Sequence, residues 1–383
     1  MDLDAFFASC EQQAHPEYRG RPVVVGALPG HRGVVAAASY EARRFGIRSA
    51  MPIAEAHRRC PDAVFVRPQM DRYRRLSRQV FEILTSITPC MEAASIDEAY
   101  LDVSGLEKLF GTPAVIARTI KQRIVEQTGL TASVGIGPNR LIAKLGSEYR
   151  KPDGLTVVTP DQVLGFLAPM PVANLRGLGR QTQKIFRRLG IKTVAELRAF
   201  PPQKLEQHLG ETAAQRFRQQ AFGIASDQVF TERRRKSISK ETTFETDVKD
   251  HPLLRDALRR LAADVARTAR RESLSGSVVT LKIRFAGFET YTRQHTLPAP
   301  THDERDLLTT AWQLFLSGNL PDKPVRLIGV GISGWNDDQP EQADLFAAQV
   351  QREDKQRVLN TIDDVSEKFG KGLLQVGVPH RTA

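Results

Sequence analysis

Two acids stand side by side in an otherwise apolar hairpin pattern, Ser95-Ile96-Asp97-Glu98-Ala99-Tyr100-Leu101. A third, Asp2, precedes the apolar run Ala5-Phe6-Phe7-Ala8. Adjacent carboxylates repel each other and lose hydration when a fold gathers them, so a sequestered cluster persists mainly where a cation neutralises it. Oxygen-only ligands suit a hard ion such as Mg²⁺, which is usually held by carboxylates together with substrate phosphates. Convergence of Asp2, Asp97 and Glu98 therefore predicts a phosphoryl-transfer site. The rest of the chain must then provide for a nucleotide and for a nucleic acid.

The charge balance agrees with such partners. The chain has 383 residues, 55 Lys+Arg against 44 Asp+Glu and a net charge of +11. An excess of this sign points to a polyanionic partner, the other reading being a solvated basic surface. The length exceeds one core, so two to four domains are expected, and a hydrophobic content of 41% is ample to fill them. Cys10, Cys60 and Cys90 lie far apart with no CxxC or Cys/His cluster, which argues against a disulfide framework and a zinc site. Two acids within the first four residues do not suit a secretory signal, and no apolar run is long enough to span a membrane. The expectation is a cytoplasmic protein that does not engage a membrane.

Strand and helix patterns alternate over the first part of the chain. Apolar runs at 22–28 and 33–39 predict short strands, and the spacing over 70–87 predicts an amphipathic helix. Strands over 91–96 and 99–103 flank Asp97-Glu98, placing both acids at a tight turn that aims them at one point. A helix over 113–127, a strand over 130–137 and a helix over 139–149 follow, the last ending before the turn sequence Lys151-Pro152-Asp153-Gly154. From 159 to 224 the pattern is helical, punctuated by Gly177-Leu178-Gly179, Gly190 and Gly210. A polar, basic stretch over 226–240 is the best linker candidate. Strand (237–244), helix (253–271), two strands (277–285 and 290–297), helix (303–316) and strand (326–333) then make a βαββαβ unit with one sheet face free for a nucleic-acid backbone. A polar tail begins near 336, with a last helix over about 351–369.

Three segments in this order carry a resemblance. They are Asp2-Leu3-Asp4-Ala5-Phe6-Phe7, the run from Tyr40-Glu41-Ala42-Arg43 through Ser49-Ala50-Met51-Pro52, and Ser95-Ile96-Asp97-Glu98-Ala99-Tyr100-Leu101-Asp102-Val103. Together they resemble the Y-family DNA polymerases, most closely the bacterial DinB type, and the resemblance covers essentially the whole chain. It implies an α+β multidomain right-hand polymerase. The palm would be 1–8 and 70–160, βαββαβ-like, with small fingers over 9–69 and a helical thumb with a helix-hairpin-helix over 161–225. A linker over 226–236, a βαββαβ little finger over 237–335 and a C-terminal tail over 336–383 would follow. The implied activity is template-dependent, error-prone translesion synthesis that adds dNTPs to a primer 3′ end without proofreading, by a monomer.

The resemblance also assigns residues. Asp2, Asp97, Glu98 and the Leu3 carbonyl would hold two Mg²⁺ ions, one activating the primer 3′-hydroxyl and one orienting the triphosphate. Tyr40 and Arg43, three apart on one helical face, and Lys151 would contact the nucleotide phosphates. A hydroxyl residue often stands three before that tyrosine; here it is Ala37, so one triphosphate contact is expected to be missing. Phe7 matches the aromatic steric gate beneath the sugar, while Phe6 reads as core. Asp4 matches the motif too, but is expected to be a helix cap rather than a metal ligand. Gly177 and Gly179 would let the thumb backbone approach a DNA phosphate, and Arg233, Arg234, Arg235 and Lys236 would follow the template-primer backbone. In the tail, Gln342-Ala343-Asp344-Leu345-Phe346 resembles the peptide by which bacterial polymerases bind the sliding clamp, with Gln342, Asp344, Leu345 and Phe346 as its contacts; a start of the C-terminal helix packed on its own domain is the other reading.

Two other function classes remain to be separated. Nucleotide cyclases share a palm-like core with acidic ligands but lack the thumb hairpin and the clamp peptide. A non-catalytic DNA- and clamp-binding relative is the second, favoured only where the N-terminal palm strand is absent. That strand is nearly missing from the sequence before Asp2, which predicts either a start upstream of Met1 or a loosely held first ligand.

Overall fold

The computed structural model describes residues 1–231 and 234–335, together with 357, 361, 363–365 and 368–370. Arg233 and the peptide from Gln342 to Phe346 lie outside the described residues, as does most of the expected last helix. The chain forms two compact units, Met1–Arg233 and Arg234–Ala383, so it divides inside the stretch read as a linker. The architecture is α+β in both. No helix among the described residues is long and apolar enough to cross a membrane.

In the first unit the strands are β1 (Asp2–Leu3), β2 (Val23–Gly26), β3 (Val35–Ala38), β4 (Val64–Val66), β5 (Met91–Ala93), β6 (Ala99–Leu101), β7 (Ala132–Ile136) and β8 (Leu155–Val157). They form a sheet of order β1-β7-β8, a second of order β3-β2-β4 and the hairpin β5-β6. β1 runs antiparallel to β7 with Asp2 opposite Ser133, and a single bridge joins Asp2 to Glu98. The strand expected over 91–96 stops at Ala93. The amides of Ala94 and Ser95 both donate to the Glu98 carbonyl, closing a loop instead of extending the ladder.

The first core is built by helical periodicity. Helix Met70–Thr85 buries Tyr73, Leu76, Val80, Ile83 and Leu84 on one stripe. Against this core pack Ile116, Ile120 and Ile124 of helix Pro113–Thr128 and Phe6 of helix Phe6–Ala14. Helix Arg140–Tyr149, capped by Asn139 accepting from the Ile142 amide at 3.1 Å, serves two layers. Leu141, Ile142 and Leu145 join a second core with Phe186, Leu197, Leu205 and Phe217 of the helical stretch that follows. The other side of this helix lies against β7, where Gly135 and Gly146 permit an unusually close approach.

The first half of the expected linker is not a free tether. The Ser226 and Gln228 carbonyls accept from Arg140, and the Phe230 amide donates to buried Glu92 at 3.0 Å. Arg140 also donates to Glu92 at 2.7 Å and lies over the Tyr100 ring, so the segment is held beside the β5-β6 hairpin.

In the second unit β9 (Ser237–Val248), helix His251–Arg271, β10 (Gly276–Phe285), β11 (Thr290–Thr301), helix Glu304–Ser317 and β12 (Val325–Trp335) give the expected βαββαβ order. The strands form one antiparallel sheet, β11-β10-β12-β9. Along β10 the alternate residues Val279, Leu281, Ile283 and Phe285 are fully buried among Leu254, Leu258, Val265, Leu307 and Ala311. Both helices therefore cover one sheet face. The other presents Ser239, Glu241, Thr280 and Lys282 around a shallow depression.

The contact between Gly135 and the helix gives a test. A Cβ on Gly135 would lie 2.0 Å from the Ala143 carbonyl oxygen and 2.3 Å from the Ser147 amide. Gly135→Ala is expected to lose about 3 kcal/mol or more by forcing the helix off the sheet. Gly165→Ala, where nothing lies within 4 Å, is expected to be neutral or to gain up to about 1 kcal/mol. Urea midpoints of the two variants measure this; equal midpoints would contradict the packing described.

Candidate functional site

Asp2 is the most buried of the three predicted acids. The short strand is stitched on both sides. On the hairpin side, the Met1 amine donates to the Ala99 carbonyl at 2.9 Å, the Ala99 amide to the Met1 carbonyl at 3.1 Å, and the Leu3 amide to the Asp97 carbonyl at 3.0 Å. On the other side, β7 pairs with Asp2 and Leu3. Asp2 is 6% exposed. Two residues suffice as a strand because both edges are paired.

The carboxylates of Asp2, Glu98 and Glu148 approach so closely that one oxygen of each lies within 4.8 Å of the others. Lys144 stands among them, donating to Asp2 Oδ2 at 2.7 Å, to Glu98 Oε1, and to Glu148 Oε1 at 2.9 Å. Lys151 donates to the other Asp2 oxygen. Burial alone would raise the Asp2 pKa, but the ammoniums of Lys151 and Lys144 outweigh it and hold the carboxyl below its ordinary value. Burial would likewise lower Lys144, yet its bonds to Asp2 and Glu148 raise it. An all-oxygen donor set that already gathers cationic charge fits a divalent ion of the Mg²⁺ class.

Asp97 is adjacent but turned aside. Its carboxylate accepts from Ser95 Oγ, and it is not among the three converging acids. The loop that replaces the end of the expected strand is the reason: Glu98 lies in the bridge to Asp2, while Asp97 lies on the loop before it.

Asp4 is not a helix cap. The N-cap of helix Phe6–Ala14 is Ala5, with no side-chain cap bond. The buried Asp4 carboxylate instead accepts from Ser133 Oγ at 2.7 Å, from the Asp153 amide at 2.8 Å and from the Tyr40 hydroxyl at 3.3 Å. It thus ties β7, the turn that carries Lys151 and the start of helix Tyr40–Arg43 to one point. The Arg43 guanidinium lies 4.6 Å from the centre of the Tyr40 ring and donates through Nε to the Ala38 carbonyl. Tyr40 and Arg43 form one half-buried surface, and burial beside Asp4 raises the Tyr40 pKa.

Phe6 is buried at 3% exposure, whereas Phe7 is half-buried, its ring stacked on Tyr73 at 4.4 Å and 15°. Tyr73 is held from behind by its hydroxyl bond to the buried Glu11 at 2.6 Å. Further along, Gly177 has φ +79°, a backbone that favours glycine, and Gly179 is the N-cap of helix Arg180–Arg188, whose first turn has no side-chain cap. Arg234, Arg235 and Lys236 are exposed in the second unit, Arg235 paired with Glu272 at 2.8 Å.

Lys144 and Glu148 are absent from the sequence reading. Their signal is the i,i+4 spacing of a cation and an acid on a helix that begins just after β7 and ends two residues before Lys151. Only the close packing on Gly135 directs that pair to Asp2.

Comparison with known proteins gives the family. The impB/mucB/samB family matches residues 1–148, and the impB/mucB/samB family C-terminal domain matches residues 235–345. The chain is 44% identical over 348 residues to DNA polymerase IV of Halorhodospira halophila, covering 91% of this chain and 97% of that one. It is 39% identical over 384 residues to DNA polymerase IV of Dehalococcoides mccartyi, covering 100% and 97%. Among solved structures it resembles a Y-family DNA polymerase chimera (TM-score 0.77, 27% identity, 88% of this chain and 98% of that one). It also resembles DinB from Sulfolobus solfataricus (TM-score 0.59, 28% identity, 87% and 97%).

The charge pairing at Asp2 has a pH signature. A folded pKa held below the ordinary 3.8 contributes stability that is fully present above that value and lost as pH falls through the folded value. In metal-free buffer the Tm gap between the wild type and Asp2→Asn is therefore expected to stay constant from about pH 7 to about pH 5 and to narrow only below 3.8. A gap that closes already near neutral pH would show that the Asp2 carboxylate is not the paired group.

Proposed function

Since the chain belongs to the impB/mucB/samB family of Y-family DNA polymerases, we propose that Asp2, Asp97 and Glu98 are the metal-holding acids of its nucleotidyl-transfer site. The protein is a DNA-directed DNA polymerase of the translesion class, acting on primer-template DNA and deoxynucleoside triphosphates. The observation that carries the site assignment is the convergence of Asp2 and Glu98, joined by a backbone bridge, around the Lys144 ammonium.

Two Mg²⁺ ions bound here would lower the pKa of the primer hydroxyl and offset charge on the triphosphate. The chain's own groups do the rest. Asp97, turned from Ser95, would hold the ions together with Asp2, Glu98 and the Leu3 carbonyl. Lys151 releases Asp2 and takes up a nucleotide phosphate, which Tyr40 and Arg43 reach from the other side. Asp4 keeps those groups in register. Phe7, braced by Tyr73, lies under the deoxyribose and leaves no room for a 2′-hydroxyl.

In this reading residues 1–8 and 70–160 are the palm, 9–69 the fingers and 161–225 the thumb, with the little finger over 237–335. The free amides of helix Arg180–Arg188, reached over Gly177 and Gly179, hold a DNA phosphate without reading sequence. Arg233–Lys236 and the uncovered sheet face of the second unit follow the duplex backbone. Gln342, Asp344, Leu345 and Phe346 bind the sliding clamp. The enzyme works as a monomer, error-prone and without proofreading.

Primer extension with Mg²⁺ tests these assignments. The wild type elongates a primed template, and Asp2→Asn or Glu98→Gln is expected to lose at least about a thousandfold in rate. Phe7→Ala is expected to keep elongation and to admit ribonucleotides, and Leu345→Ala with Phe346→Ala to lose clamp stimulation alone. Full activity of Asp2→Asn would end the proposal for the metal site.

A further inference from the structure

We propose that Lys144 is a built-in counter-cation that occupies the metal-binding acids of the free enzyme, and that Glu148 is the group to which it withdraws when a divalent ion enters. The inference rests on the reading of Asp2 and Glu98 as metal-holding acids and adds a positioning role for two residues outside that ligand set. A single ammonium makes three carboxylate contacts at once, two with acids of the site and one with Glu148. A positive charge in that position opposes a divalent ion at the same oxygens, because two cations within a few ångströms in a half-buried site repel strongly.

The environment gives the exchange a direction. The Asp2 side chain is 9% exposed and that of Glu98 25%, whereas Glu148 is 48% exposed. Lys144 therefore reaches from a sequestered pair of acids to one at the solvent rim, with Glu148 one helical turn beyond it on helix Arg140–Tyr149. Moving the ammonium to Glu148 returns it to water and still leaves it an anionic partner, so the displaced charge is not stranded. Lys151 has no such second station. Among the described residues its ion pair is with Asp2 alone, which suits a residue released to an incoming phosphate rather than to a neighbouring acid.

The consequence is that the free polymerase binds divalent ions weakly while its acids remain neutralised and in place. Removing Lys144 exposes two opposed effects. Asp2 and Glu98 then repel each other without metal, and the same pair holds a metal more tightly.

The test uses the full-length protein with Mn²⁺ alone, without DNA or nucleotide, followed by calorimetry and by Tm in EDTA and in Mn²⁺. Lys144→Met is expected to lower Tm in EDTA, to show a larger Tm gain on Mn²⁺ than the wild type, and to bind Mn²⁺ at least about tenfold tighter. Lys144→Gln replaces it if Lys144→Met does not fold in EDTA, and Lys144→Arg, which keeps the charge, is expected to bind as weakly as the wild type. Glu148→Gln is expected to weaken Mn²⁺ binding several-fold in the wild-type background and to have no effect beside Lys144→Met. Unchanged or weaker binding in Lys144→Met overturns the role of Lys144. A Glu148→Gln loss that persists beside Lys144→Met overturns the role of Glu148 and makes it a direct ligand. Asp2→Asn with Glu98→Gln separates the two levels of argument. If that pair leaves Mn²⁺ binding intact, the metal-site reading fails; if it abolishes binding while Lys144→Met does not tighten it, only the counter-cation fails.

Discussion

The structure turns on the repulsion between Asp2 and Glu98, which backbone pairing forces together and which positive charge must offset. Each of the three backbone bonds that stitch Met1–Leu3 to the hairpin draws the two acids closer. The opposing charge comes from one helix and from the turn after it. For Lys144 to reach the acids, helix Arg140–Tyr149 must lie nearly in contact with β7, and Gly135 and Gly146 make that approach possible. A packing constraint between two glycines thus sets an electrostatic balance at these two acids.

Asp4 extends the same logic to the substrate side. One buried carboxylate fixes the β7 hydroxyl of Ser133, the turn after Lys151 and the Tyr40 ring. Groups that would bind metal and groups that would bind phosphate therefore share a common anchor. Phe7 stacks on Tyr73, which its hydroxyl bond to Glu11 locks in place.

Much of this was legible in the sequence. The βαββαβ order of the second unit, the long helices Met70–Thr85 and Pro113–Thr128 and the short helix with Tyr40 and Arg43 follow from apolar periodicity and local motif. The acids Asp2 and Glu98 and the half-buried Phe7 are recognisable from their motifs, and the two acids come together without Asp97. What was not legible depends on contacts distant in the chain. The firmness of β1 arises from pairing with strands far along the sequence. The turned-aside Asp97 results from a loop closed on the Glu98 carbonyl. The role of Asp4 as a three-way anchor, and the presence of Lys144 and Glu148, depend on how closely a helix can approach a sheet. Ser226–Phe230 read as linker because its composition is polar, yet its backbone is bound to Arg140 and Glu92.

The most direct measurement is the anomalous scattering of Mn²⁺ in crystals of the protein grown without DNA and soaked with the ion. A peak is expected between the Asp2 and Glu98 carboxylates, with Asp97 turned from Ser95 towards it and the Lys144 ammonium withdrawn to Glu148. A peak elsewhere, or an ion at Asp2 with Lys144 still bound to that acid, would contradict that expectation.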